Sequence, residues 1–198
     1  MTIFADWWRR AGVTGLLLGC ALVPMAAQTP EDAARLRLES GREFLKKKDY
    51  VEALKDFQVV LQTYRASSVA DDAQLEIARY QLEVARDLRA ADAAADLLLK
   101  EYSESDSAPM ALVVKGRAAM EAGRSDEQIN TAIASFDRVS RLYGSTEAVP
   151  QAMYYAGETA RLAGRRAEAI ERFTTLATQY PASVCAPNSL RTASPKST

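Results

Sequence analysis

Tyr64, Tyr102, Tyr143 and Tyr180 stand 38, 41 and 37 residues apart, and each carries the same neighbours. Eleven residues before each lies an alanine: Ala53, Ala91, Ala132 and Ala169. Seven before lie Phe57, Ala95, Phe136 and Phe173, and four before lie Val60, Leu98, Val139 and Leu176. Steps of four, three and four put all these positions on one face of a helix. A unit this short cannot enclose a core alone. A period of this length therefore demands that copies stack and bury each other's apolar faces.

The other half of each unit repeats as well. Three residues after the tyrosines come Ser67, Ser105, Thr146 and Ser183, a signal for a turn and an N-cap. Six, nine and fourteen residues after the first three tyrosines come Ala70, Ala108 and Val149; Ala73, Ala111 and Ala152; and Ala78, Gly116 and Gly157. Small side chains in these registers let two helices approach closely. Each unit is predicted to be a helix A, a turn, a helix B and a turn. Helix 1A opens at Thr29-Pro30-Glu31-Asp32, where Thr29 caps, Pro30 suits the first turn and Asp32 closes a capping box. The remaining helices are expected over about 50–64, 69–86, 88–102, 107–121, 126–143, 147–163 and 166–179. The penultimate B helix begins with a second capping box, Ser125 with Gln128, and carries one added turn.

The residue inventory excludes most chemistry. Histidine is absent, which removes the usual general base and the commonest metal ligand. There is no Gly-rich phosphate loop and no cysteine pair. Cys185 has no base to activate it and reads as a packing residue. No catalytic residue, metal or cofactor is expected. A net charge of -1 sets up no field that would attract nucleic acid. Lys46-Lys47-Lys48 ends helix 1A and reads as compensation of the helix dipole, with membrane contact as the alternative.

Residues 1–27 have the layout of a secretory signal: a short segment ending in Arg9-Arg10, an apolar run over about 11–23, then small residues. That run is shorter than the ~20 residues a bilayer span takes. Two cleavage points stay open. Leu17-Leu18-Gly19-Cys20 resembles a lipobox, which would end the signal at residue 19 and acylate Cys20, leaving that lipid as the chain's one link to a membrane. Cleavage after Ala27 would instead leave a soluble periplasmic protein.

The Gly41-to-Ala53 and Gly157-to-Ala169 spacings, followed by Phe57 or Phe173 and, in the fourth unit, by Pro181, resemble the tetratricopeptide repeat (TPR) over residues 30–184. The pattern departs from that family at Arg65, Ser103 and Gly144, where proline is usual, at Ala95, and in lacking the helix-A tryptophan. Residues 49–75, with a long period and "Y-x-x-S-x-x-A" linkers, are similar to the TPR proteins of the bacterial envelope. Those include the lipoprotein of the outer-membrane β-barrel assembly machine and the periplasmic TPR partner of the Tol–Pal system. The resemblance implies an all-α, right-handed solenoid of about four helix pairs. It also implies a non-enzymatic scaffold that binds other envelope proteins or their peptide segments, in the periplasm or anchored to the outer membrane. A second reading makes the chain the structural N-terminal arm of a longer array.

In TPR arrays the A helices line the concave side. By register, this would place Arg42, Arg79, Arg117 and Glu158 in one row and Leu38, Leu75, Val113 and Tyr154 in an adjacent row. Facing inward, they would form a peptide groove with acidic and apolar preference. The competing reading has the arginines solvated or paired with carboxylates on neighbouring helices. At the other end, Tyr180, Ser183, Ala186 and Ser189 repeat the register of Tyr143, Thr146, Val149 and Ala152. Residues 185–198 are thus expected to begin a fifth helix A and abandon it, which would leave the last B helix partly uncovered.

Overall fold

A computed structural model describes residues 29–144, 146–183 and 185. Over those residues the chain is an all-α array of four helix pairs, with no strand. The A helices are α1 (Pro30–Lys46), α3 (Ala70–Tyr80), α5 (Ala108–Ala122) and α7 (Ala148–Leu162). The B helices are α2 (Tyr50–Thr63), α4 (Leu88–Glu101), α6 (Asp126–Leu142) and α8 (Arg166–Gln179). The expected signal segment with Cys20 and the tail from residue 186, where the fifth helix A was expected, lie outside the described residues. No described helix is long and apolar enough to cross a membrane.

Both predicted capping boxes form. Asp32 N–H donates to Thr29 Oγ1 at 3.1 Å and Thr29 N–H donates to Asp32 Oδ2 at 3.2 Å. Ser125 and Gln128 make the equivalent pair at 3.3 and 3.2 Å. The added turn lies in α6, which has 17 residues against 14 in each of α2, α4 and α8. Each register tyrosine is the C-cap of its B helix, its N–H donating to the carbonyl four residues back.

The hydroxyl residues that follow do not cap helices. The N-caps are Val69, Ser107 and Glu147, none with a side-chain cap bond. Instead the N–H groups of Ser67, Ser105 and Thr146 donate to the carbonyls of Tyr64, Tyr102 and Tyr143 at 2.8, 3.1 and 3.0 Å. Their own carbonyls accept from Ala70, Ala108 and Val149. Two tight backbone turns in succession place the hydroxyl two or three residues ahead of the helix, too early to reach its free N–H groups.

The small-residue register is explained by what faces it. A Cβ on Gly41, Gly116 or Gly157 would stand 2.8 Å from Cδ1 of Phe57, Phe136 or Phe173, with another ring atom nearer still. These phenylalanines are at most 1% exposed, so the ring fills the space between A and B and only glycine admits it. In the second unit both partners change together: Ala78 faces a B helix carrying Ala95, and both are fully buried.

In the first, second and fourth units the A-to-B turn carries a left-handed residue sixteen positions before the tyrosine. Lys48 (φ 62°), Arg86 (φ 58°) and Gly164 (φ 75°) supply it. Ala78 and Ala91 are one residue farther apart than Gly41 and Ala53. That extra residue is absorbed by widening the end of the second A helix into a π turn, Gln81–Ala85, a common accommodation of a single insertion. Regular α-helix had been expected to about residue 86; the signal was the spacing between the two alanines.

The backbones of successive A helices approach one another closely, whereas those of successive B helices stay apart and meet only through side chains. The layer whose axes lie closer together is the inside of the curve, so α1, α3, α5 and α7 form the inner wall.

Candidate functional site

The inner wall is held together by charges that cross from one repeat to the next. Arg42 Nε donates to Glu76 Oε1 at 3.0 Å, and its guanidinium also approaches Asp72 at 3.4 Å and Glu39 at 3.2 Å. Arg117 Nη1 donates to Glu83 Oε1 at 2.6 Å and its Nη2 lies 3.5 Å from Glu121. The Arg117 guanidinium also sits 5.2 Å from the centroid of the Tyr155 ring, which itself stacks on Phe136. Arg86 reaches Glu121 Oε2 at 2.8 Å, off the hydrogen-bonding direction, so that contact is ionic only. Burial acts against the charge on Arg42 and Arg117. The facing carboxylates outweigh it and hold both above the usual arginine value.

Each predicted groove residue can now be placed. Arg42 and Arg117 are engaged in the inter-repeat pairs. Glu158 pairs along its own helix with Arg161 at 2.7 Å. Arg79, half-buried on α3, has no ionic partner among the described residues. The apolar row needs correction. Leu38, Leu75 and Val113 are 2%, 6% and 2% exposed, because the next A helix covers each. They form a seam between repeats and offer no surface to a peptide. Tyr154 occupies the same register in the last described A helix and stays half-exposed, tilted against Phe173 at 5.9 Å. Burial, then the Glu158 charge, raises its phenol above the ordinary value. Ile170 shows the same end effect: it is 40% exposed, whereas Ile133, its counterpart one unit earlier, is 8% exposed.

Two features escaped the sequence reading. One is a cleft of ≈ 480 Å³ between α6 and α8, floored by Met153 and crossed by Arg172, which pairs with Asp137 at 2.7 Å and Glu168 at 3.0 Å. It opens because B helices diverge. The other is a polar pocket of ≈ 370 Å³ at the turns that lead into α3 and α5. Cys185 is half-buried and unpaired, its N–H donating to Ser183 Oγ at 3.2 Å. Among the described residues no group of three acidic or cysteine side chains is arranged to hold a metal.

Residues 31–192 match the family model YfiO, an outer membrane lipoprotein family. The match supports the envelope-lipoprotein side of the resemblance and adds nothing to the Tol–Pal side. No curated protein matches the chain.

Proposed function

We propose, since the chain belongs to the YfiO family of outer membrane lipoproteins, that it is a non-enzymatic scaffold of the cell envelope that holds segments of other envelope proteins. The observation that carries this reading is the extended inner wall of A helices, coupled repeat to repeat by Arg42 and Arg117. Such a wall is a rigid, pre-organised surface, and rigidity lowers the entropic cost of binding. Arg79 is the cation on it left for a partner's carboxylate. The family supports anchorage through an acylated Cys20, with the solenoid in the periplasm.

Radioactive palmitate incorporation tests the anchor: label that persists in Cys20→Ala sinks it. Crosslinked capture from envelope membranes tests the scaffold. Recovery of cytosolic proteins alone would sink that reading. The half-exposed Tyr154 and Ile170 favour a second reading, in which this array is the structural arm of a longer one. An isolated chain that captures nothing while its solenoid is folded would support it.

A further inference from the structure

Seven residues after the register tyrosine the later units carry proline: Pro109, Pro150 and Pro187. The first of these positions is occupied by Asp71. The residue is 6% exposed and makes no hydrogen bond or ion pair with any described residue. Its carboxylate lines a pocket and is left without a protein partner, so it is free to take one from another molecule.

Asp71 lines the ≈ 370 Å³ pocket together with Ser67, Tyr102, Glu104, Ser105 and Asp106. The hydroxyl oxygens of Ser67, Tyr102 and Ser105 are buried and unpartnered. Burial, reinforced by the Glu101 and Asp71 charges, raises the Tyr102 phenol above its ordinary value, so it keeps its proton. Glu101, on the rim, is occupied by Arg65 at 2.5 Å. Glu104 and Asp106 have no ionic partner among the described residues. The site thus presents carboxylate oxygens, backed by buried hydroxyls, and carries a surplus of negative charge. A lysine ammonium or arginine guanidinium brings several N–H donors, no acceptor and one positive charge, which complements that set.

We propose that this pocket receives a cationic side chain of a partner polypeptide, with Asp71 as its buried counter-charge. The proposal deepens the scaffold reading and rests on it, adding the chemistry of one contact point.

The test is an amide-resolved NMR titration of the full mature chain with tetralysine and with tetra-arginine, using tetraglutamate as control. Shifts should be confined to residues around 64–71 and 101–107 and appear only with the basic peptides. The arm that binds tighter identifies the preferred cation. Asp71→Asn should weaken binding by about tenfold and the exposed Glu104→Gln by about threefold, as expected for a buried and a rim charge. Asp137→Asn and Glu171→Gln, in the α6–α8 cleft, should leave affinity unchanged. Equal loss from those two would show a diffuse acidic surface and overturn the proposal, as would unchanged binding in Asp71→Asn. If Asp71→Asn does not fold, Glu104→Gln decides, and unchanged affinity overturns the proposal. Crosslinked capture separates the two readings. A wild-type chain that binds tetralysine in the pocket but captures no envelope protein overturns the scaffold and leaves the pocket. Asp71→Asn that captures as well as wild type overturns the pocket and leaves the scaffold.

Discussion

Gly116 and Phe136 offer the sharpest check on how these repeats pack. A Cβ added at Gly116 would meet three atoms of the Phe136 ring at 2.5, 2.7 and 2.8 Å. Carbon atoms prefer separations of about 3.5–4.0 Å, so helix α5 or the ring must move by about 1 Å. Phe136 is 1% exposed and has no free side to retreat to. Gly116→Ala should therefore cost toward the upper end of the 1–3 kcal/mol typical of overpacking. Phe136→Ala alone should cost about 3–5 kcal/mol through lost burial and a cavity. In the double variant the clash vanishes, and the Ala–Ala pair of the second unit, Ala78 with Ala95, shows that the backbone tolerates it. The double should cost about what Phe136→Ala costs, leaving a coupling of about 1–3 kcal/mol in a double-mutant cycle. Urea denaturation followed by circular dichroism would measure it. Additivity to within about 0.5 kcal/mol would refute the claim that glycine is present to admit the ring.

Lys48 holds a left-handed conformation that Gly164 adopts without strain at the same register. Lys48→Gly should stabilise the chain by roughly 0.5–1 kcal/mol in thermal melts. Arg117→Ala should destabilise by about 1–2 kcal/mol, because it removes the partner of Glu83 and the guanidinium packed over Tyr155, whereas Glu121 keeps Arg86. Arg79→Ala should leave stability unchanged and reduce crosslinked partner capture; full capture would remove Arg79 from the binding surface. The Thr29 hydroxyl and N–H hold the Asp32 carboxyl below its ordinary value of 3.8. A depressed carboxylate stabilises the fold above that value, and the contribution disappears as pH falls through the lower folded one. The protection factors of amides at the start of α1, with intrinsic exchange divided out, should therefore fall on acidification below about pH 4, and Thr29→Ala, which leaves only the backbone N–H bond to Asp32, should weaken that pH dependence.

Helix positions, both capping boxes, the added turn of α6 and the apolar face of every B helix were legible in the sequence. Each depends on residues a few positions apart, and helical periodicity displays them directly. The glycine–phenylalanine pairs were visible as registers, but not as contacts. The direction of the Leu38, Leu75 and Val113 row was not legible. Periodicity says that a face is apolar; only the spacing of neighbouring helices says whether another helix or solvent meets it. A layers that touch turned an expected groove wall into a seam, and B layers that diverge opened a cleft no motif announced. The same holds for charge. Arg42, Arg79 and Arg117 are identical in register, yet two are consumed by carboxylates 34 positions away in sequence and one is not. Asp71 is a first-turn acid of α3, and only the turns packed beside it make it a pocket residue. Local chemistry and period determine which elements form in this chain. Long-range packing decides which of their side chains remain for another molecule, because burial and pairing belong to neighbours that a one-dimensional pattern does not specify.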